Sequence, residues 1–136
     1  MGGDGLGLIG YYDSTNADLK VAHCNDAACT SALLNTLDNG PTGSYPSATV
    51  GVDGLGLISY YEGTNGDLKV AHCADTACTS ASTNLLDTGP GQVGVSTSVT
   101  IGRDGLGLIS HYDDTNGDLK VAHCSNTFCM PYCRRR

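Results

Sequence analysis

The sequence predicts an all-β protein built from repeated antiparallel sheets, and three observations indicate this fold class. A stretch of 21 residues recurs with few changes at Asp4–Cys24, Asp53–Cys73 and Asp104–Cys124. Each copy holds two runs rich in Leu, Ile, Tyr and Val on either side of a polar turn, which is typical of a β-hairpin. The 19 glycines and the absence of tryptophan suit short strands and many turns, and no helical periodicity is visible.

The turn of the second copy contains Asn65-Gly66, which favours a two-residue type I′ turn. That turn sets Glu62 opposite Lys69, and the same register gives the lysine of the other copies an acid partner. Opposite charges across a strand pair stabilise it, so the charge pattern supports this register. The first copy has Ala17 where the others have glycine, and a left-handed φ there costs a non-glycine residue about 1 kcal/mol.

Two further strands flank the hairpin of the second copy: a small-residue strand at 46–51 and an outer strand at about 81–87. Four antiparallel strands in about fifty residues are typical of a β-propeller blade. The hairpin strands are apolar on both faces, as a sheet packed between two neighbouring sheets requires. We therefore expect about three blade-like repeats, at 1–39, 40–88 and 89–136.

Only the second copy shows all four strands. The first copy begins at its first hairpin strand, and in the third copy residues 128–133 replace the outer strand. The sequence thus predicts unfinished sheets at both ends, with exposed apolar faces and unpaired strand edges. Head-to-tail association would cover them and either close into a ring or continue as a filament. The first functional hypothesis is therefore a structural protein that assembles with copies of itself.

The repeat of the second copy, DGLGLISYYEGTNGDLKVAHC, resembles the tandem blade-like repeats of secreted bacterial proteins that read roughly DGLPxISYYDxTNGDLKVAHC. The resemblance covers nearly the whole chain up to Cys129. It implies a propeller-like fold and an extracellular or cell-surface location. It implies no particular activity, because such repeats are not tied to one function.

Six of the seven cysteines form three C-x4-C pairs: Cys24 and Cys29, Cys73 and Cys78, and Cys124 and Cys129. A local disulfide fits each short loop and an oxidising compartment. The competing hypothesis is a zinc or copper site with the adjacent histidines, which is disfavoured because neighbouring residues of a strand point to opposite faces.

Cys133 is the odd cysteine. An unpaired cysteine indicates a bond between chains or a free thiol. Alternatively, Cys129 pairs with Cys133 and leaves Cys124 to reach a neighbouring chain.

The hairpin tips gather oxygen-bearing side chains, which are Asp13, Asn16, Asp18, Glu62, Asn65, Asp67, Asp113, Asn116 and Asp118. Calcium is a candidate ligand for them, although their spacing is not that of an EF-hand loop. Polar turn chemistry explains the same residues at least as well. The sequence points to no other cofactor.

The net charge and the hydropathy of the chain disfavour nucleic acid as a partner and a membrane-spanning segment. The net charge is −7, and the three hairpin lysines have acidic partners, so no basic face is left for nucleic acid. No apolar run approaches the ~20 residues of a membrane span. An enzyme is disfavoured, because the acids within the repeats recur from copy to copy and Arg103 is the single arginine before the C-terminal tail.

The second functional hypothesis is a glycan-binding propeller. In such a protein, clefts between blades recur with the repeat, and Tyr12, Tyr61 and Tyr112 would stack on sugars. The chain has no tryptophan, on which sites of this kind often rely. Tyrosines of an apolar hairpin also belong frequently to the core.

Overall fold

The computed structural model describes residues 1–129, together with the backbone of 133–135. This part of the chain is all β, and none of its residues forms a helix long and apolar enough to cross a membrane. The strands are β1 (Leu8–Asp13), β2 (Asp18–Cys24), β3 (Ala32–Asp38), β4 (Thr42–Val50), β5 (Gly56–Glu62), β6 (Asp67–Cys73), β7 (Ala81–Asp87), β8 (Val95–Ile101), β9 (Gly107–Asp113), β10 (Asp118–Cys124) and β11 (Cys133–Arg135).

The strands form three antiparallel sheets, as the repeats predicted. The first sheet has the order β1-β2-β3, the second β4-β5-β6-β7 and the third β8-β9-β10-β11. The first sheet therefore has three strands and lacks a strand before the hairpin. The described residues form no closed ring of blades.

The prediction that the third sheet lacks an outer strand is wrong. The short strand β11 pairs antiparallel with β10, with Cys133 opposite Cys124 and Arg135 opposite Ala122. A β-ladder is made of backbone hydrogen bonds, so an edge strand needs no apolar side chains, and the pattern Cys-Arg-Arg gave no sign of it.

The sheets follow one another in a stack. Strand β1 packs on β4, and β4 packs on β8. The same leucine-on-glycine contact joins both pairs of sheets: a Cβ at Gly56 would lie 2.6 Å from Cδ2 of Leu8, and a Cβ at Gly107 would lie 2.7 Å from Cδ2 of Leu57. The same Cβ would also lie within 3 Å of a cysteine sulfur of its own sheet, so only glycine fits between that sulfur and the leucine of the preceding sheet.

Each sheet has a front face, turned toward the next sheet along the chain, and a back face, turned toward the preceding one. On the second sheet, Ser59 belongs to the front face, and its hydroxyl lies 2.7 Å from that of Thr97 in the third sheet. Tyr60 belongs to the back face and donates to Asp38 of the first sheet at 2.7 Å. The second sheet is thus covered on both sides.

The core is divided between the two spaces between sheets. Between the first and second sheets lie the buried side chains of Leu19, Val21, Ile58, Tyr60, Ala71, Cys73 and Cys78. Between the second and third sheets lie Leu57, Leu68, Val70, Leu86, Val99, Ile109, Ala122, Cys124 and Cys129.

The predicted hairpin register is wrong. Glu62 faces Asp67 rather than Lys69, so residues 63–66 form a four-residue loop in place of a two-residue turn. The reason lies in the carboxylate of Glu62, which accepts the backbone N–H groups of Thr64 at 2.7 Å and Asn65 at 2.9 Å. A side chain that bonds the backbone two and three residues later stabilises a longer loop.

The left-handed residue that closes this loop is where the sequence placed it. Gly66 has φ 83° and Gly117 has φ 75°, and Ala17 takes the same conformation with φ 60°. Ala17 therefore carries the strain expected of a non-glycine residue in the left-handed region.

The lysines of the second and third hairpins bond acids in the preceding sheet. Nζ of Lys69 lies 2.5 Å from Asp38 of the first sheet, and not on Glu62 as the register predicted. Nζ of Lys120 lies 2.6 Å from Asp87 of the second sheet and 3.7 Å from Asp113 of its own hairpin, so the expected pairing with Asp113 is confirmed although the register differs. The ion pairs with Asp38 and Asp87 join neighbouring sheets, which a pattern confined to one hairpin does not reveal.

Candidate functional site

Three disulfide bonds link the end of each second hairpin strand to the turn that follows. They are Cys24–Cys29, Cys73–Cys78 and Cys124–Cys129. The alternative pairing of Cys129 with Cys133 does not occur, because Cys129 is bonded to Cys124. Oxidised sulfurs are neither thiolate ligands nor nucleophiles, so these six residues hold the architecture. The side chain of Cys133 lies outside the described part of the chain.

The recurring histidines also serve the architecture. Nε2 of His23 lies 2.8 Å from Oδ2 of Asp4, and Oδ1 of Asp4 accepts the backbone N–H of Leu6 at 3.0 Å. The pKa of Asp4 is lowered, first by the Leu6 N–H and then by His23. The same pair recurs as Asp53–His72 at 2.8 Å and Asp104–His123 at 2.7 Å.

The acids proposed as calcium ligands organise the hairpin loops. Asp13 accepts the side-chain amide of Asn16 and the backbone N–H of Thr15, both at 3.0 Å, and Asp18 accepts the N–H of Gly40 at 3.1 Å. Among residues 1–129, no three His, Cys, Asp or Glu side chains come together as a metal site requires. The described residues therefore give the calcium prediction no support.

One buried polar cluster was not predicted from the sequence. His111 replaces the tyrosine of the other two hairpins and is buried between the second and third sheets. Its Nε2 lies 3.8 Å from Asp87, its Nδ1 bonds the carbonyl of Val93, and burial lowers its pKa. Asp87 is buried as well and holds Lys120, so this cluster joins two sheets and is closed to a ligand.

Two tyrosines of the second sheet contact each other near the place where β4 packs on β8. The ring centroids of Tyr45 and Tyr61 lie 6.2 Å apart at an interplanar angle of 68°, an edge-to-face contact. Tyr45 is 52% exposed, and Tyr61 is half-buried. We call these two residues the tyrosine pair.

The backbone around Tyr45 is unusual. Its φ is 52°, and the pairing of β4 with β5 is irregular between Ser44 and Ser47. The hydroxyl of Thr97 donates to the Tyr45 carbonyl at 2.9 Å and ties this bulge to the third sheet. Ser96 takes the same φ of 52° at the equivalent place in β8, so the bulge recurs but the aromatic side chain does not. Left-handed non-glycine residues cost about 1–2 kcal/mol and concentrate at functional sites.

Acidic groups act electrostatically on Tyr61 of the tyrosine pair. The pKa of Tyr61 is raised, first by burial and then by the negative charge of Glu62, with further contributions from Tyr45 and Asp114. Asp114 is exposed and begins the hairpin loop of the third sheet. Glu62 already accepts two backbone N–H groups of its own loop, whereas Asp114 is exposed. This surface thus combines an aromatic ring with an exposed carboxylate, which suits a ligand with an apolar face and hydroxyl donors.

The predicted stacking residues Tyr12, Tyr61 and Tyr112 do not share one environment. Among residues 1–129, Tyr45 and Tyr61 form the one tyrosine ring contact, while Tyr12 and Tyr112 are exposed on the first and third sheets. Sequence reasoning selected residues that recur and so missed Tyr45. The available signal was the difference between Tyr45 and Ser96 in two otherwise matching strands.

Comparison with known proteins reveals a similar fold in a sugar-binding protein. No protein-family model matches the chain, and no curated protein matches it at a significant level. A solved structure of similar fold is that of a fucose lectin from Kordia zhangzhouensis in complex with methyl-fucoside. The TM-score is 0.56 at 11% sequence identity, and the alignment covers 100% of this chain and 94% of the lectin chain. At this identity, the match shows a shared all-β fold alone.

Proposed function

We propose that this chain is an extracellular carbohydrate-binding protein that holds a sugar at the tyrosine pair. The observation that carries the proposal is the exposed edge-to-face contact of Tyr45 and Tyr61 beside carboxylates, in a chain whose whole length aligns with a fucose lectin. The fold alone does not define a ligand, whereas the chemistry of the tyrosine pair suits a sugar.

The surface at the tyrosine pair offers both kinds of contact that a sugar needs. The apolar C–H face of a pyranose packs on an aromatic ring, and here the exposed ring of Tyr45 provides that surface. The sugar hydroxyls then donate to the carboxylate of Asp114 or to the tyrosine hydroxyls at the rim. Hydrogen bonds to an ionised acceptor are stronger than neutral ones. Because the platform is open, we expect weak binding of a monosaccharide, with a Kd on the order of 1 mM.

The disulfides support the proposed extracellular location. Three disulfides in a chain of 136 residues favour an oxidising compartment. The resemblance of the repeats to those of secreted bacterial proteins supports an extracellular or cell-surface location, where glycans are presented.

The proposal is tested with methyl fucoside and a glycan array. Wild-type protein is expected to bind at least one immobilised glycan, and Tyr45→Ser is expected to lose that binding. Ser is the residue that the third repeat carries at the same φ, so this change leaves the bulge intact. Tyr12→Ala is the matched control, because it removes an exposed tyrosine outside the pair, and its binding should equal that of the wild type.

Two results would overturn the proposal. One is the absence of binding to every glycan on the array and to methyl fucoside in titration. The other is equal loss of binding in the Tyr45→Ser and Tyr12→Ala proteins, which would place recognition outside the tyrosine pair.

A second candidate function is structural, with copies of the chain assembling head to tail into a ring or filament. It is favoured by apolar residues that are exposed on the outer sheets and buried at equivalent positions of the middle sheet. Cys133 as the cysteine that links chains stays a prediction.

A further inference from the structure

The front face of the third sheet is open to solvent. Leu68 of the second sheet is 0% exposed, whereas Leu119, which occupies the same place in the third repeat, is 75% exposed. Leu108 is likewise exposed, and its equivalent Leu57 is buried against the third sheet. The residue types are identical, so the difference in exposed fraction arises because a following sheet covers the leucines of the second sheet and none in the described part of the chain covers those of the third.

A cavity of about 150 Å³ lies on this open face and is lined by Ser98, Thr100, Leu108, Ser110 and Val121. The equivalent surface of the second sheet is occupied by β8. There, Ser47 accepts the backbone N–H of Val99 at 3.1 Å, and Ser59 bonds Thr97. The cavity lining therefore repeats a surface that binds a neighbouring sheet.

The back face of the first sheet is open too. Ile9 is 50% exposed, whereas its equivalents Ile58 and Ile109 are fully buried against a preceding sheet. Lys20 shows the same lack of a neighbour: it pairs with Asp13 of its own sheet at 2.9 Å, while the other two hairpin lysines reach the sheet before them.

The two open faces carry the two halves of the contact that joins sheets within the chain. Leu108 is the leucine of that contact and has no following sheet to enter. Gly7 is the corresponding glycine, and a Cβ there would meet the sulfur of Cys24 but no leucine of another sheet. Front and back faces already fit each other twice in this chain, through the same residues.

We propose that the front face of the third sheet binds the back face of the first sheet of a second copy, with Leu108 of one copy packed over Gly7 of the next. This inference rests on the structural candidate function, self-assembly, and specifies its interface. It is independent of glycan binding, so a negative result in the glycan-binding test leaves it unaffected, and the reverse also holds. A contact between different surfaces of identical chains is heterologous, and it repeats until a ring closes or a filament grows.

The test changes one face at a time by substitution, and sedimentation velocity over a dilution series measures the association. All variants carry Cys133→Ser, which removes any covalent link between chains through that residue. Leu119→Asp damages the front face and Ile9→Asp damages the back face, and both side chains are exposed in the monomer. Leu85→Asp is the matched control, because Leu85 is an exposed leucine on the edge strand of the middle sheet. Circular dichroism and thermal melting establish that each variant is folded.

The parent protein and the Leu85→Asp variant should grow in mass with concentration. Each face variant alone should stay at the monomer mass of 14.0 kDa, with association weakened about tenfold or more. An equal mixture of the two face variants should form a dimer and nothing larger, since each retains one intact face of opposite kind.

Three results would overturn the inference. The first is a parent protein that remains monomeric throughout the dilution series. The second is a folded Leu119→Asp protein that assembles as well as the parent. The third is self-assembly of Ile9→Asp alone, because that result indicates a symmetric front-to-front dimer.

Discussion

The stacking of the sheets predicts that the leucine of the second hairpin strand stabilises the protein strongly in the first two repeats and hardly at all in the third. The sequence Asp-Leu-Lys-Val-Ala-His-Cys is identical in β2, β6 and β10, so Leu19, Leu68 and Leu119 form a matched set. The first two are fully buried, because the chain that enters the next sheet lies directly over them: a Cβ at Gly94 would come within 2.7 Å of Cα of Leu68. Leu119 has no such cover.

Leu68→Ala should lower the free energy of unfolding by about 3 kcal/mol, within the range for a buried leucine truncated to alanine. For a chain of this length, that loss lowers Tm by roughly 10 °C. Leu119→Ala should cost about 0.5 kcal/mol or less, as for exposed positions. Leu19→Ala should behave like Leu68→Ala.

Urea unfolding with the disulfides intact measures these differences, at protein concentrations where sedimentation shows a monomer. Equal destabilisation by Leu68→Ala and Leu119→Ala under those conditions would refute the stacking argument. In the proposed assembly, by contrast, a second copy would cover Leu119, so the cost of Leu119→Ala is expected to rise with protein concentration.

Four further predictions concern stability and association. Ala17→Gly should raise the free energy of unfolding by up to about 1 kcal/mol, because Ala17 has a left-handed φ, and a lower melting point would contradict this. Gly43→Ala should destabilise the protein severely in urea unfolding, since Gly43 has φ 98° and the added Cβ would lie 2.6 Å from Cα of Leu19. The pKa of Asp13 is lowered, first by the Asn16 amide, so its stabilising effect is present above the ordinary value of 3.8 and is lost as pH falls below it. Asp13→Asn should therefore flatten the fall of Tm in acid, and an unchanged pH profile would speak against this role. Finally, each copy carries a net charge of −7, so added salt should strengthen the sedimenting assembly, and weakening by salt would point to an interface held by ion pairs.

Much of the fold is predictable because the repeat is local. The recurring apolar runs define the hairpins, and the lack of a polar face predicts that the middle sheet is covered on both sides. The register was not predictable from Asn65-Gly66 alone, because the carboxylate of Glu62 bonds the backbone of the loop and extends it. The pairing of Lys120 with Asp113 was predictable from the hairpin, but the contacts of Lys69 with Asp38 and of Lys120 with Asp87 were not, since sheet packing sets them.

The candidate site was harder to predict than the fold. Tyr12, Tyr61 and Tyr112 were selected because they recur in the three repeats, but residues that recur in every repeat generally serve the fold. Tyr45 stands where the repeats differ, on a bulge whose conformation is invisible in a pattern of small residues. In a repeat protein, the position that breaks the repeat is therefore the better guide to a site.

NMR titration with methyl fucoside tests most directly whether the tyrosine pair recognises a sugar, as proposed. Binding at the tyrosine pair should give saturable shifts of the ring and backbone signals of Tyr45 and Tyr61, with the signals of Tyr12 and Tyr112 unchanged. Shifts spread equally over the four tyrosines, or none up to the solubility limit of the sugar, would contradict it.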